Sequence, residues 1–506
     1  MQKNSRLPRF IKLAVTGVAL SWLAGCGGGG GGGEGASLPD AASAKALTNT
    51  SADNYDHNRW GLIEAATLQT YADNWKTADT AAATLPPNGR PSHLASTARL
   101  VVLQFNGANR AAGENYIPAK PADNVYSYRL DDFRFNETRD TGLISASVRY
   151  QASGPKTDSW LAQYGIDLSR DFVVLAQGEN SAVNGSFFQE LTRATYWLNY
   201  WGADPKRIAV LNGTLKQNYT GTLVNTLTAD SSVSNGGFSV KSLRVDNTGL
   251  TIALEDFLKV VDANRAATGV IPGLNQQLII DARPTAQFNR STSTASFFDT
   301  HPGQFITTAW NSAGAPSNDA TGKAKNYVLY EGHVKGAVSF PWATLLTDTG
   351  GNNWKYKSKA DLATIFTTAG YAPTDKDSKV IISQCRTNFE VQVNGFAARL
   401  ILGYPTVYFD GSLVEYASLV SGHPNAALNL LPADPAYKFR TDTAARSQRY
   451  VAGATEADVA TTTESDSGVT PYNVAGGDRK TAVPVINRNA TTTRKAIEED
   501  REYKRI

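Results

Sequence analysis

The sequence predicts an α/β protein of two tandem domains, each a parallel sheet with helices on both faces. Three observations predict it. Short apolar runs without alternation recur between helical patterns, as strands buried on both faces require. The two halves of the central region close alike: an aromatic-rich helix reaches Tyr-Trp-Gly or Leu-Gly-Tyr, then a strand, then Asn-Gly or Asp-Gly. Leu191–Trp201 with Ile208–Gly213 thus mirrors Val391–Leu402 with Thr406–Gly411, an internal duplication of a whole domain. The length, 506 residues, accommodates two domains of ordinary size beside a tether and a tail.

The elements follow in chain order. Residues 1–12 carry Lys3, Arg6, Arg9 and Lys12 and no acid, and 13–23 are mostly apolar. With Leu23-Ala-Gly-Cys26 they have the parts of an export signal over 1–25, and the apolar run is too short to span a bilayer. Seven glycines, Gly27–Gly33, begin a flexible tether over 26–58, with a reach on the order of 30 Å. A first domain is expected over 59–235. Its buried strands are Arg99–Phe105, Asp171–Gln177 and Arg207–Gly213. A joint rich in Thr, Ser, Asn and Gly follows between about 216 and 250. A second domain is expected over 250–425, with strands Gln277–Arg283, Gly336–Phe340, Lys379–Gln384 and Thr406–Asp410. Past Asn425 hydrophobic density falls, and 426–506 reads as a mostly disordered tail. Its last stretch, Arg494–Ile506, has the charge of a short helix and is read as a solvated tail rather than a docking peptide.

Two cysteines occur, Cys26 and Cys385. An exported protein usually pairs or drops its thiols, so a single thiol at Cys385 calls for a chemical reason. It stands where the apolar strand Lys379–Gln384 meets a short polar loop, Cys385-Arg-Thr-Asn-Phe-Glu390. A helical pattern, Val391–Leu402, follows, with Val393, Phe396, Ala397, Leu400 and Ile401 giving it a buried face. Backbone N–H groups curling round a sulfur ahead of a helix stabilise an anion there. A net charge of +3 gives no sign of a polyanionic partner, so no nucleic acid is expected. No His/Cys/carboxylate cluster has metal spacing, no phosphate-binding Gly-rich loop joins a strand to a helix, and no cofactor is expected.

Four motifs in order resemble the tandem rhodanese family, the thiosulfate and 3-mercaptopyruvate sulfurtransferases, over roughly 60–425. Leu278-Ile-Ile-Asp-Ala-Arg283 is similar to its opening strand, and Glu331-Gly-His-Val-Lys-Gly-Ala-Val338 to its GHIxGA motif. Ile382-Ser-Gln-Cys385-Arg386 resembles its active-site strand, and Phe409-Asp-Gly-Ser-Leu-Val-Glu-Tyr416 its closing YDGSxxEW. In the first half Asn115–Ala119, Gly185–Phe188 through Trp197, and Val210–Gly213 fit its non-catalytic domain, where Phe172–Gln177 leads into Gly178-Glu-Asn180 without a cysteine. The Leu-Ala-Gly-Cys ending resembles the lipobox of bacterial lipoproteins; an ordinary secretory signal is the other reading. The lipoprotein resemblance implies cleavage before Cys26, lipidation of that residue, and, with Gly27 next, attachment to the cell envelope at the outer membrane.

The rhodanese resemblance implies a persulfide on Cys385, a small sulfur-containing donor and a thiol or cyanide-like acceptor. It makes Arg386, Thr387, Asn388, Phe389 and Glu390 the anion-binding loop. Arg386 either holds an anionic donor and lowers the thiol pKa or is a surface arginine. Asn388 stands where glycine is frequent and suits a left-handed turn. Thr387 replaces a frequent lysine, and Glu390 a threonine, serine or arginine; an inward carboxylate would oppose an anionic substrate. Gln287 falls where a substrate arginine is frequent, with Arg290 three residues on as its candidate replacement. Asp281, Arg283 and His333 are read as structural. Related phosphatases need an arginine six positions after the cysteine; here that residue is Val391. The insertion over 291–331 is long enough to be functional, as a lid or docking surface, or disordered. Three functions stay open: the sulfurtransferase, a non-enzymatic lipoprotein binding partners in an outer-membrane redox assembly, and handling of selenite or tellurite.

Overall fold

The computed structural model describes residues 40–48, 59–81, 84–105, 115–130, 136–143, 147–178, 185–225, 227, 233–262, 271, 274–285, 288, 333–334, 336–418 and 490–505. The expected signal and Cys26, most of the tether, the 291–331 insertion, Gln287, Arg290 and most of the tail lie outside the described residues.

The first half holds a five-stranded sheet. Its strands are β1 (Gly61–Ile63), β2 (Leu100–Phe105), β3 (Val125–Leu130), β6 (Phe172–Gln177) and β7 (Ile208–Thr214), in the order β1-β7-β6-β2-β3. All neighbours run parallel. Between β3 and β6 an antiparallel hairpin, β4 (Asn136–Arg139) and β5 (Ser147–Gln151), stands apart. The central strands β2 and β6 are buried along their whole length, which is why they read as unbroken apolar runs. Successive side chains serve opposite faces. Leu100, Val102, Phe172 and Val174 pack with Leu68 and Tyr71 of the helix Ala65–Asn74. Val101, Leu103, Val173 and Leu175 pack with Leu191, Ala194 and Trp197 of the helix Phe187–Tyr200.

The second half holds a four-stranded parallel sheet. It is built of β8 (Gln276–Asp281), β9 (Val338–Ser339), β12 (Lys379–Gln384) and β13 (Thr406–Tyr408), in the order β13-β12-β8-β9. Between β9 and β12 lies a second antiparallel hairpin, β10 (Leu346–Asp348) and β11 (Trp354–Tyr356). Leu278, Ile280 and Ile381 share a core with Leu362 and Phe366 of the helix Lys359–Thr368 and with Phe396 and Leu400. On the opposite side Phe257, from the helix Leu254–Asp262, stacks on Phe409 at 4.3 Å between centroids. Both halves are thus parallel sheets covered on both faces.

The two helices paired by the sequence duplication, Phe187–Tyr200 and Glu390–Phe396, pack against each other, so one core cluster runs through both halves. The latter continues through Ala397–Leu402 in π-helical geometry and stops at Gly403, whose φ of 71° suits glycine. Phe187–Tyr200 is buried nearly all round, as a helix held between the first sheet and the helix Glu390–Phe396 must be. Its polar groups find partners: Trp197 Nε1 donates to Thr157 Oγ1 at 3.0 Å, and Asn199 Oδ1 accepts from Arg399 Nη2 at 2.6 Å. Each half also sends its hairpin to the other. Gln151 N donates to Asp410 Oδ2 at 2.7 Å, and Tyr356 N donates to Asn212 Oδ1 at 3.0 Å.

The structure corrects the reading of the last stretch as a solvated tail. Lys495–Lys504 is a helix docked on the first half, with Ala496, Ile497, Asp500 and Lys504 buried. Asp500 Oδ2 accepts from Arg139 Nη1 at 2.8 Å and from the Tyr200 hydroxyl at 2.9 Å. The segment before it reaches the second half, where Arg494 Nε donates to Glu255 Oε1 at 2.6 Å. Composition misleads because these charges are satisfied by partners hundreds of residues away. Among the described residues no helix is long and apolar enough to cross a membrane.

Candidate active site

Cys385 directly follows β12, at the carboxyl edge of the second sheet, where open parallel sheets place their ligand sites. The register sets its neighbours. Gln384 lies opposite Asp281, the last residue of β8, and Gln384 Nε2 donates to Asp281 Oδ2 at 2.7 Å. Asp281 also accepts from Arg283, from Nε to Oδ1 at 2.9 Å and from Nη2 to Oδ2 at 2.6 Å, with both side chains fully buried. This buried ion pair lies beside the strand end that carries Cys385. His333 is buried, stacks on Phe288 at 3.7 Å, and its Nδ1 lies 3.0 Å from the Phe288 carbonyl oxygen.

The loop closes in six residues because Asn388 adopts a left-handed conformation, φ 59°, before the helix begins at Glu390. The backbone N–H groups of Thr387 and Val391 on either side of that turn act on the Cys385 sulfur and lower its pKa. Leu413 N donates to the Cys385 carbonyl at 3.1 Å and ties the loop to the helix Ser412–Ser418. The thiol is entirely buried. Burial, then the charge of Glu390, pushes its pKa up to about 11, against the pull of the two N–H groups. Glu390, partly exposed, is itself raised above the usual carboxylate range by burial, while Arg386 and Arg283 draw it down. The carboxylate thus disfavours the thiolate while two guanidinium groups draw on it. Arg386 and Thr387 are both buried, so Arg386 is not a surface arginine.

The first half supplies groups that motif reading alone leaves out. Arg193 Nη1 donates to Asp410 Oδ1 at 2.6 Å and contacts the Asn388 carbonyl oxygen at 3.4 Å. Asn388 Nδ2 reaches the same Asp410 oxygen at 2.5 Å, and Asn388 Oδ1 accepts from Gln392 Nε2 at 2.8 Å. Phe389 lies under Arg149 and Arg193, whose guanidinium carbons are 5.2 and 5.5 Å from its ring centroid. Glu190, on the helix of Arg193, is raised to about 7 by burial, with Arg149 opposing. The available signal for Arg193 is an arginine inside an otherwise aromatic and apolar helix. Its partner, 217 positions away, has no local signature. The structure thus brings together Cys385, the loop 386–390, Asp281 and Arg283. It holds His333 on Phe288. Among the described residues no group of three His, Cys, Asp or Glu side chains is placed to hold a metal.

Fold and site together define a class: a two-part parallel α/β protein with a buried cysteine heading a short loop between a strand and a helix. Among solved structures the chain is similar to the 3-mercaptopyruvate sulfurtransferase of Leishmania major, at 13% identity and a TM-score of 0.36, covering 63% of this chain and 70% of that one. It is similar to SseA of Escherichia coli, described for the "rhodanese" fold and the mechanism of 3-mercaptopyruvate sulfotransferases, at 14% identity and a TM-score of 0.39, covering 70% and 98%. The Tum1 protein of Saccharomyces cerevisiae matches at 16% identity and a TM-score of 0.42, covering 63% and 88%. No protein-family model matches the sequence, and comparison with curated proteins finds no match.

Proposed function

We propose that this chain is a sulfurtransferase that moves a sulfane sulfur from a small donor to a thiophilic acceptor through a persulfide on Cys385. One observation carries the reading: a fully buried cysteine at the end of a parallel strand heads a short loop that curls through the left-handed turn at Asn388 into a helix, with the N–H groups of Thr387 and Val391 lowering its pKa. Such a cradle stabilises a thiolate and a persulfide anion without a histidine base.

The chemistry balances with the groups present. With thiosulfate, the Cys385 sulfur attacks the outer sulfur, an S–S bond forms, and the bond to the sulfonate sulfur breaks to release sulfite. With 3-mercaptopyruvate, the carbon–sulfur bond breaks and pyruvate leaves as its enolate. Sulfite or the enolate takes up the thiol proton. Cyanide or a thiolate then attacks the outer sulfur, carries it away and returns the thiolate. Glu390 beside the thiol disfavours a dianion more than a monoanion, so a donor of the 3-mercaptopyruvate type suits the site better than thiosulfate.

The test is cyanide-dependent turnover of both donors by the wild-type chain and by Cys385→Ser. Turnover that disappears in the variant supports the reading; turnover unchanged in Cys385→Ser overturns it. A second reading has an observation of its own. The thiol is fully buried and held protonated at neutral pH, as suits a scaffold that binds a partner without turnover. Absence of turnover with every donor favours it. We further propose that Cys26 is lipidated and holds the protein at the cell envelope, on the strength of the Leu-Ala-Gly-Cys ending. Cys26→Ser then abolishes incorporation of labelled fatty acid; labelling that persists overturns the anchor.

A further inference from the structure

The catalytic loop belongs to the second half, yet its shape is held from the first. Three contacts converge on the turn at Asn388. Its side-chain nitrogen is fixed by Asp410 Oδ1, its side-chain oxygen by Gln392, and its carbonyl oxygen by Arg193. Asp410 is itself pinned on both oxygens by the first half, Oδ1 by Arg193 Nη1 and Oδ2 by the backbone N–H of Gln151. Arg193 and Asp410 are 0% and 1% exposed, and a second arm of Arg193 donates to the Arg149 carbonyl at 3.3 Å. The Arg193 guanidinium also lies over Phe389, the residue after the turn.

We propose that Arg193 is a positioning residue: through Asp410 and the Asn388 carbonyl it holds the left-handed turn that aims the Thr387 and Val391 N–H groups at the Cys385 sulfur. The inference rests on the proposed reaction at Cys385 but is readable without it. A planar guanidinium is needed because one arm must grip the Asp410 carboxylate and the Asn388 carbonyl while the other holds the Arg149 carbonyl, a fixed geometry which a single ammonium nitrogen does not reproduce. The non-catalytic half thereby acquires a definite task, and the two halves must be docked for the cradle to be complete. Arg193 touches neither the sulfur nor a donor; it acts through the loop.

The test is a double-mutant cycle on the full-length chain with Arg193→Lys and Asn388→Gly. Lysine keeps a positive charge opposite Asp410 but loses the second grip. Glycine keeps the φ of 59° permissible and loses the anchor to Asp410. Two rates are read by peptide-resolved mass: sulfur transfer from 3-mercaptopyruvate to Cys385, and alkylation of Cys385 by iodoacetamide. Each single variant is expected to slow sulfur transfer, by up to about 100-fold for a misaimed cradle, with donor KM little changed. The double variant is expected to be no slower than the worse single one, because both cut the same strut. Multiplicative losses, or an Arg193→Lys rate equal to wild type, overturn the proposal. If Arg193→Lys fails to fold, as its melting curve reveals, Asp410→Asn takes its place in the cycle. Absence of persulfide in the wild type with non-additive alkylation rates refutes the catalytic reading and leaves the strut standing. Persulfide in the wild type with multiplicative effects does the reverse.

Discussion

Replacing Glu390 with glutamine removes a charge while keeping the shape of the loop. In the native protein the Cys385 thiol is raised from 9.0 to about 11, with burial first and the Glu390 carboxylate second among the causes. Glutamine leaves the burial and both sulfur-directed N–H groups in place. At pH 8 a thiol with a pKa of 11 is ionised in roughly one molecule in a thousand. If the lost charge lowers the pKa by about one unit, about 1.4 kcal/mol, the thiolate fraction rises about tenfold. Intrinsic nucleophilicity falls with the pKa, so the net gain in attack rate is about threefold. The assay is peptide-resolved alkylation of Cys385 by iodoacetamide from pH 7 to 11, in wild type and Glu390→Gln. The variant should be about threefold faster at pH 8, with the advantage shrinking as both thiols ionise. Equal rates across the range, or a slower variant at pH 8, would refute the placement of this carboxylate against the thiol. The same substitution should raise thiosulfate turnover more than 3-mercaptopyruvate turnover, since the dianion suffers more from the charge removed.

Further outcomes concern stability. Glu415 and Asp500 are almost fully buried and raised by burial to about 7 and about 6, and Glu190 is raised to about 7. Each favours the proton in the folded chain, so its contribution is complete below the unfolded pKa and is lost as pH rises through the folded one. His93, lowered by burial, opposes this in the same window. The melting temperature should therefore fall between pH 5 and 8, and Glu415→Gln should flatten the slope; for Glu415 alone the full displacement corresponds to about 3 kcal/mol. A melting temperature that rises over that interval contradicts the assignment. Asp500→Ala leaves Arg139 buried without its carboxylate and should cost about 3–5 kcal/mol in denaturant unfolding. A loss under about 1 kcal/mol, as for an exposed pair, would show that the C-terminal helix is not docked.

Legibility followed burial and locality. The central strands were readable because both their faces are covered, leaving unbroken apolar runs such as Leu100–Phe105 and Lys379–Gln384. The edge strand Val125–Leu130 was not, because polar positions interrupt its burial pattern. Gly61–Ile63 is three residues long and pairs with a strand almost 150 positions later. At the site, Cys385 and its loop are one contiguous stretch and could be read whole. The grip of Arg193 on Asp410 joins residues 217 positions apart, and the anchor of Asp500 on Arg139 joins residues 361 apart. Pairings of that kind turn charges that look solvated into buried ones, as in the C-terminal helix Lys495–Lys504.

Everything at the site turns on whether Cys385 carries sulfur. The most direct measurement is the mass of the Cys385 peptide after brief incubation of the full-length chain with 3-mercaptopyruvate, followed by alkylation. One added sulfur atom on Cys385 is expected, removed by cyanide with release of thiocyanate. A peptide of unchanged mass with every sulfane donor, in a chain whose melting curve shows it folded, would contradict it.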